Sequence, residues 1–153
     1  MVRIAQIGVG YWGPNLLRNL VSNSDCEIKA VVDLSKERRE FVRKLYPNLN
    51  VTNKLDEVIS DPNIDAVLIA TPVKTHYKLA IQCLENNKHI LVEKPMANTV
   101  EEVQDISGLS KKNKLVSMVG HTFLFNSAVR YVKELIDSNE IGEIRYIYSQ
   151  RLN

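Results

Sequence analysis

The first residues whose types and spacing suggest chemistry form a glycine-rich turn near the N-terminus. Gly8, Gly10 and Gly13 fit the pattern G-x-G-x-x-G, directly after an apolar run and directly before a stretch of helical period. In that context the first glycine allows a tight turn, the second removes the side chain where a phosphate approaches, and the third lets the helix lie close to the strand. The free amides at the helix start and the positive end of its dipole then favour a pyrophosphate.

An acidic residue follows at the distance that a dinucleotide site requires. Asp33 ends the next apolar run, 20 residues after Gly13, where a carboxylate can accept hydrogen bonds from both ribose hydroxyls. The same carboxylate would repel a 2′-phosphate, which favours NAD over NADP. Lys36, Arg38 and Arg39 lie just beyond it and could soften that preference. A glycine turn without a cofactor is the alternative, and the strand, the helix and Asp33 together argue against it.

A polar segment also ends the most apolar run of the chain. Thr71 and Pro72 follow the run Asp65–Ala70, and His76 stands in the start of the next helical stretch. Ligands of open α/β sheets bind beyond the carboxyl ends of the strands, so we expect Thr71 and His76 on the cofactor side. From the pattern alone, His76 is explained equally well as a residue of the helix end and as a ligand contact.

Glu93, Lys94 and Pro95 end the following run, His89–Val92, in the same way. A lysine at this edge of the sheet, near a nicotinamide, can polarise or protonate a reacting oxygen. The alternative, which the tripeptide alone leaves open, is an exposed lysine before a turn-forming proline.

These segments have to be positioned by a sheet. Apolar runs of strand length alternate with stretches of helical period, which indicates a doubly wound parallel sheet covered on both faces, the Rossmann type of α/β fold. Strands are predicted at Val2–Ile7, Glu27–Val32, near Val51, and at Asp65–Ala70, His89–Val92 and Leu115–Val119. Helices are predicted after Gly13, at Lys36–Tyr46, around Leu55–Ile59, and at Lys74–Asn86, Val100–Lys112 and Asn126–Ser138. At the C-terminal end, alternating residues predict a strand over Glu143–Asn153 that has no partner in the chain.

Composition excludes several classes of function. The 153 residues are 44% hydrophobic and carry a formal charge of +2, which is too balanced for a nucleic-acid-binding or membrane-surface protein. No apolar run approaches the roughly 18 residues of a membrane span, and the N-terminus lacks the anatomy of a signal peptide, so we expect a soluble cytoplasmic protein. Cys26 and Cys83 have no metal-ligand spacing around them; we expect buried thiols and no metal site.

In combination, these segments resemble one family. The order of the glycine motif, Asp33, Ala-Thr-Pro with His76, and Glu-Lys-Pro is similar to the glucose–fructose oxidoreductase and inositol dehydrogenase (Gfo/Idh/MocA) family along the whole chain. The tracts Val119–Asn126 and Gly142–Asn153 resemble a narrower branch. Members of that branch oxidise UDP-linked N-acetylamino-sugar acids at C3 with NAD.

The resemblance implies a role for each matched position. Lys94 matches the family's catalytic lysine, and the bond before Pro95 is often cis in the family, which would aim Lys94 inward. Cofactor binding is implied for Gly8, Gly10, Tyr11, Trp12, Gly13, Asp33, Thr71, Pro72, His76, Glu93 and Lys94. Substrate contacts are implied for His121, Phe123, Asn126, Arg151 and Asn153.

The resemblance also implies an organisation into an NAD(P)-binding Rossmann domain over residues 1–125 and, over 126–153, a connecting helix and the first strand of a substrate domain. The remainder of that second domain, with the histidine that the family uses as acid/base, is expected to lie outside these 153 residues. We therefore expect the NAD-binding half of an oxidoreductase that transfers a hydride from a sugar or sugar-nucleotide hydroxyl; whether this half turns over substrate unaided stays open.

Two alternatives to this expectation remain. One is a non-catalytic NAD(H)-binding or regulatory module, against which the presence of Lys94 argues. The other is a chain that forms homo-oligomers, because unpaired strand edges recruit partners. In that case we expect the unpaired strand 143–153 to pair with another copy or to be disordered.

Overall fold

Apolar segments form the parallel sheet that the alternating pattern predicts. The computed structural model describes residues 1–150 and 152, and within them the sheet has six strands. These are β1 (Val2–Ile7), β2 (Cys26–Val32), β3 (Val51–Thr52), β4 (Ala66–Ile69), β5 (His89–Val92) and β6 (Ser117–Val119). Their spatial order is β3-β2-β1-β4-β5-β6, so the order reverses between β1 and β4. Ligands of open sheets bind beyond the carboxyl ends of the strands at such a reversal.

Helices connect the strands and differ in how they begin. They are α1 (Gly13–Ser22), α2 (Lys36–Leu45), α3 (Leu55–Ser60), α4 (His76–Glu85) and α5 (Val100–Lys112). A capping box closes the start of α5, where the Thr99 side chain accepts from the Glu102 amide and the Glu102 side chain accepts from the Thr99 amide. Helix α1 has no side-chain cap and no acidic residue in its first turn. Its N-terminus is therefore open to an anion from outside the helix.

The core lies on both faces of the sheet. Val32 belongs to a larger cluster that includes Ile106 of α5, whereas its neighbour Val31 belongs to a smaller cluster with Leu17 of α1 and Val42 of α2. Successive strand residues point to opposite faces, so the two clusters cover opposite sides. The doubly wound architecture predicted from the sequence is confirmed.

Most of the predicted bounds lie within one residue of those in the structure. Strand β5 and helix α5 have the predicted ends. Helix α4 begins at His76 and not at Lys74, because the residues after Pro72 first form a 3₁₀ turn over Val73–Thr75. Strand β6 begins at Ser117, two residues later than predicted.

The two cysteines are free thiols in different surroundings. Cys83 is fully buried, and burial raises the pKa of its thiol to about 12 because the thiolate loses its hydration. Cys26 is half-buried, and its Sγ donates to Leu20 O at 3.2 Å. The expectation of buried thiols is therefore met fully by Cys83 and in part by Cys26.

Met1–Gly120 and His121–Asn153 form separate compact units. The second contains a 3₁₀ turn over Thr122–Phe125 and helix α6 (Ser127–Asp137). Within this unit, the guanidinium of Arg130 lies 5.3 Å from the centroid of the Phe125 ring, which packs the turn against the helix. No helix among the described residues is long and apolar enough to cross a bilayer.

The strand predicted over Glu143–Asn153 is not formed in the part of the chain that the structure describes. Residues 143–150 and 152 have no regular secondary structure. A strand exists through hydrogen bonds to a neighbouring strand, and no described segment supplies one to residues 143–150. Alternation alone therefore does not make a strand of residues 143–150 in the single chain, and the pairing with another copy stays a prediction.

An ion pair ties β1 to the loop before β4. Arg3 Nε donates to Asp65 Oδ2 at 2.9 Å, and Arg3 Nη2 donates to Asp65 Oδ1 at 2.5 Å. The Arg3 backbone amide also donates to Asp65 Oδ2, at 2.9 Å. The side-chain hydrogen bond from Arg3, followed by the backbone one, holds the pKa of Asp65 well below its ordinary value.

We expect Asp65→Asn to remove an acid-dependent part of the stability. Because the pKa of Asp65 is lowered in the folded chain, the unfolded chain takes up the proton at a higher pH than the folded chain does. The pair therefore stabilises the fold above the titration range of a free aspartate, about pH 4, and this contribution is lost as the pH falls further. Free energies of unfolding of the wild type and Asp65→Asn should converge toward acid, whereas a constant difference would contradict the assignment. Asp25→Asn, at an exposed position, is the control.

Candidate functional site

Two glycines of the turn between β1 and α1 have no room for a side chain. Gly8 has φ +92°, and a Cβ built on it would lie 2.6 Å from Ala70 O. A Cβ on Gly13 would lie 2.6 Å from Gly8 O. Real Cβ atoms do not come this close to a carbonyl oxygen, so the end of β1, the start of α1 and the end of β4 approach each other only because these positions are glycine. The tight turn and the close packing predicted for these two glycines are confirmed.

Gly10 borders open space. Among the described residues, no atom other than those of Gly10 and its two chain neighbours lies within 4 Å of a Cβ built there. The backbone groups of Gly10 and Tyr11 form no hydrogen bond with any described residue. The start of α1 has no side-chain cap. Unpaired amides and the positive end of a helix dipole therefore border a space that a side chain would fill. These residues fit the pyrophosphate of a dinucleotide.

The turn is held by a residue that the sequence analysis did not single out. Gln6 is fully buried, and its Nε2 donates to Gly8 O and to Gly13 O, both at 2.9 Å. A carboxylate or an apolar side chain in its place could not donate to these two carbonyls. Its Oε1 has no hydrogen-bond partner among the described residues. A polar residue in an apolar strand, two positions before the first glycine, is the signal that could have revealed it.

Asp33 lies at the end of β2, next to the glycine turn. Its Oδ2 accepts from the Val9 amide and its Oδ1 accepts from the Ser35 amide, both at 2.8 Å. The carboxylate thus holds the glycine turn as well as the start of the next loop. Each carboxylate oxygen has a further lone pair, so Asp33 retains the capacity to accept from ribose hydroxyls.

The basic residues that follow Asp33 are held in different ways. Arg39 Nη1 donates to Asp33 O at 2.8 Å and to Leu34 O at 2.9 Å, so its guanidinium is tied to the backbone of the Asp33 loop. Lys36 pairs with Glu40 on the surface of α2 at 3.7 Å. Arg39 therefore contacts the loop that carries Asp33 through its side chain, whereas Arg38 contacts it through its backbone amide, which donates to Ser35 Oγ at 3.2 Å.

His76, which follows β4, lies between two backbone segments of the protein and not at the ligand contact that the resemblance implies. The His76 ring is 1% exposed, with Nε2 2.7 Å from Thr71 O and Nδ1 2.8 Å from Pro95 O. Thr71 Oγ1 shares a hydrogen bond with Thr75 Oγ1 at 2.7 Å, and Pro72 is exposed. Both nitrogens of His76 thus face backbone carbonyls and not a ligand space, because Pro95, distant in sequence, closes over the ring.

Glu93, Lys94 and Pro95 follow β5. The Lys94–Pro95 peptide bond is cis, as the resemblance implies. The Glu93 amide donates to Ile69 O at 2.9 Å, and Glu93 Oε2 accepts from the Lys94 amide at 3.2 Å. The side chain of Glu93 is half-buried and that of Lys94 is exposed. Lys94 therefore stands at the carboxyl edge of the sheet, where β5 pairs with β4 and β4 pairs with β1.

The residues predicted to contact substrate lie in the second unit or beyond the described residues. His121 precedes the 3₁₀ turn, and Phe123 lies within it, 56% exposed. The Asn126 side chain caps α6, because its Oδ1 accepts from the first amides of that helix, at 3.0 and 3.2 Å. Arg151 and Asn153 lie outside the described residues.

Comparison with known proteins identifies the family. Residues 2–121 match the GFO_IDH_MocA oxidoreductase family, described by its NAD-binding Rossmann fold. The chain belongs to this family. The glycine turn and the uncapped start of α1 are therefore those of an NAD(P)-binding Rossmann domain.

Relatives of this Gfo/Idh/MocA chain are longer than the chain itself. It is 36% identical to the scyllo-inositol 2-dehydrogenase (NAD(+)) of Bacillus subtilis over 146 residues, 95% of this chain and 43% of the relative. It is 31% identical to the 2,7-anhydro-N-acetylneuraminate hydratase of Escherichia coli over 151 residues, 99% of this chain and 40% of the relative. A solved NAD-binding protein of Listeria innocua superposes with a TM-score of 0.83 at 30% identity, over 93% of this chain and 42% of that one. The chain thus spans about 40% of the length of these relatives.

Gly8→Ala should lower the stability of the fold, whereas Gly10→Ala should lower the affinity for a dinucleotide. Gly8→Ala brings a Cβ against backbone at a positive φ and should lower the free energy of unfolding by more than about 1 kcal/mol. Gly10→Ala meets no protein atom, so unfolding should change by less than about 0.5 kcal/mol while the affinity for ADP-ribose falls. Chemical denaturation and calorimetry measure the two effects.

The matched control for these substitutions is Gly108→Ala in α5, where a Cβ also meets open space. Because alanine favours helix, this variant should gain up to about 1 kcal/mol and bind ADP-ribose as the wild type does. Wild-type affinity in Gly10→Ala would contradict the phosphate site.

Proposed function

We propose that the chain is the cofactor-binding half of an NAD-dependent oxidoreductase that acts on a hydroxyl of a sugar or sugar nucleotide. The observation that carries this proposal is the arrangement at the carboxyl edge of the sheet. There the open space at Gly10 borders the uncapped start of α1, with Asp33 at the end of the neighbouring strand and Lys94 after β5. These groups can bind a pyrophosphate and a ribose and can reach a reacting oxygen.

The substrate class that we propose is a UDP-linked N-acetylamino-sugar acid. It rests on the tracts Val119–Asn126 and Gly142–Asn153, which resemble the branch with that activity. The relatives support the broader class: the Bacillus subtilis enzyme is named for an inositol, and the Escherichia coli enzyme for a substrate with an N-acetylamino group. Both names describe polyhydroxylated ring compounds.

Each residue of the edge has a distinct task in this proposal. The amides of Gly10 and Tyr11 bind the pyrophosphate, and Asp33 accepts from the ribose hydroxyls. NAD held by these groups would supply the hydride acceptor for the substrate carbon. Lys94 hydrogen-bonds the substrate hydroxyl and takes part in removing its proton, together with an acid/base group from a second domain. Holding the reactants in this arrangement supplies much of the rate.

Preference for NAD over NADP is part of the proposal. If Asp33 accepts from the ribose hydroxyls, a 2′-phosphate on that ribose would bring negative charge next to the carboxylate, which two backbone amides hold in place. Repulsion of roughly 1.4 kcal/mol corresponds to a tenfold difference in affinity.

Calorimetry with NAD and NADP tests this function. The wild type should bind NAD about tenfold more tightly than NADP, the ratio that roughly 1.4 kcal/mol of repulsion gives. Asp33→Asn should weaken NAD binding and narrow that ratio, because it removes the charge and one of the acceptors. Lys94→Ala should still bind NAD, with a loss of no more than about fivefold, the ratio that one hydrogen bond sustains, since its main proposed partner is the substrate. A chain that binds neither nucleotide at millimolar concentration would overturn the proposal.

We further propose that the chain forms homo-oligomers through residues 143–153. Tyr146, Ile147 and Tyr148 are 87%, 78% and 78% exposed, and their backbone amides are open to pairing with another copy. Light scattering should show a larger mass that rises with concentration for the whole chain. A chain that ends at Gly142 should stay monomeric and still bind NAD. Equal masses for the two chains would argue against self-association through this segment.

A further inference from the structure

His76 joins the loops that follow two neighbouring strands. Its ring is buried between Thr71, after β4, and Pro95, after β5. Nε2 lies 2.7 Å from Thr71 O and Nδ1 lies 2.8 Å from Pro95 O. Both partners are backbone carbonyls, which only accept, so each contact is a hydrogen bond when the facing ring nitrogen carries a proton. With both nitrogens protonated, the ring holds the main chain of both loops.

The carbonyl of Pro95 is one of the fixed points around Lys94. On one side of Lys94, the Glu93 amide donates to Ile69 O at 2.9 Å. On the other side, the contact from His76 Nδ1 holds the residue directly after Lys94. The backbone is therefore tied on both sides of an exposed lysine side chain.

The other half of the bridge reaches the glycine turn. A Cβ built on Gly8 would come within 2.8 Å of Thr71 Cγ2, so the Thr71 side chain packs directly against the turn. The Thr71 carbonyl is held by His76. A continuous series of contacts thus leads from the glycine turn through Thr71 and His76 to Pro95 and Lys94.

We propose that His76 is a positioning residue that sets the place of Lys94 relative to the nicotinamide end of the bound dinucleotide. This inference rests on the proposed function, which places Lys94 beside the nicotinamide. His76 acts through the backbone, because its ring is enclosed and both nitrogens face carbonyls. Without the Nδ1 contact, the Lys94 segment loses one of its anchors while Gln6 and Asp33 still hold the glycine turn.

Two substitutions separate the two contacts of the ring. The amide nitrogen of an asparagine side chain lies near the position of histidine Nδ1, and that of glutamine lies near Nε2. His76→Asn therefore keeps a donor for Pro95 O, whereas His76→Gln keeps a donor for Thr71 O only. His89→Gln is the matched control, because His89 Nδ1 accepts from the Val116 amide at 2.9 Å at the opposite end of β5.

The readout is the rate at which acetic anhydride acetylates Lys94, followed by peptide mass spectrometry. The rate is measured without ligand, with saturating NAD and with saturating ADP-ribose, which lacks the nicotinamide. In the wild type, NAD should slow acetylation of Lys94 about fivefold, the ratio that one hydrogen bond sustains, and ADP-ribose should not. Lys78, exposed on α4, gives the internal reference rate.

We expect protection by NAD to persist in His76→Asn and His89→Gln and to disappear in His76→Gln, with the affinity for ADP-ribose unchanged in all of them. Protection in His76→Gln equal to that of the wild type would overturn the role of His76 and leave the proposed function standing. Loss of protection in both His76 variants, or an accompanying loss of ADP-ribose affinity, would also overturn it, since either indicates general damage. Absence of protection in the wild type would overturn the proposed function and this role with it.

Discussion

Close packing of backbone at the glycine turn is the constraint on which the rest of the site depends. The carbonyl of Gly8 lies where Gly13 leaves room for it, and the end of β4 lies where Gly8 leaves room. Gln6 holds both carbonyls of the turn from inside the sheet. Because the turn closes this tightly, α1 begins directly at the edge of the sheet and its first amides border open space. A looser turn would move the helix N-terminus away from the strands that carry Asp33 and Lys94.

Polar side chains around the turn first satisfy the backbone of the protein itself. Asp33 accepts from two amides and His76 contacts two carbonyls, each in a different loop. Loops at the end of a sheet have no ladder partners of their own, so such side chains replace the missing hydrogen bonds. The edge is therefore ordered before a ligand binds, which lowers the entropic cost of binding.

Sequence reasoning predicts the elements here better than the contacts between them. The sequence predicts strand β5 and helix α5 to the residue because an apolar run and a stretch of helical period are local signals. The sequence does not predict the surroundings of His76, because its partner Pro95 is 19 residues away and only the folded chain brings the two together. Residues 143–150 form no strand in the single chain for a related reason, since alternation describes one strand and carries no information about its neighbour.

The contact between Asp33 and the Val9 amide couples the charge at this position to the order of the glycine turn. Replacement of Asp33 by a small apolar residue would remove a negative charge and would also leave the Val9 amide without its acceptor. The turn would lose one of its hydrogen bonds at the same step. A second acceptor for this amide, gained earlier, would offset that loss. A change of charge beside the turn and a change in the stability of the turn are therefore one event and not two.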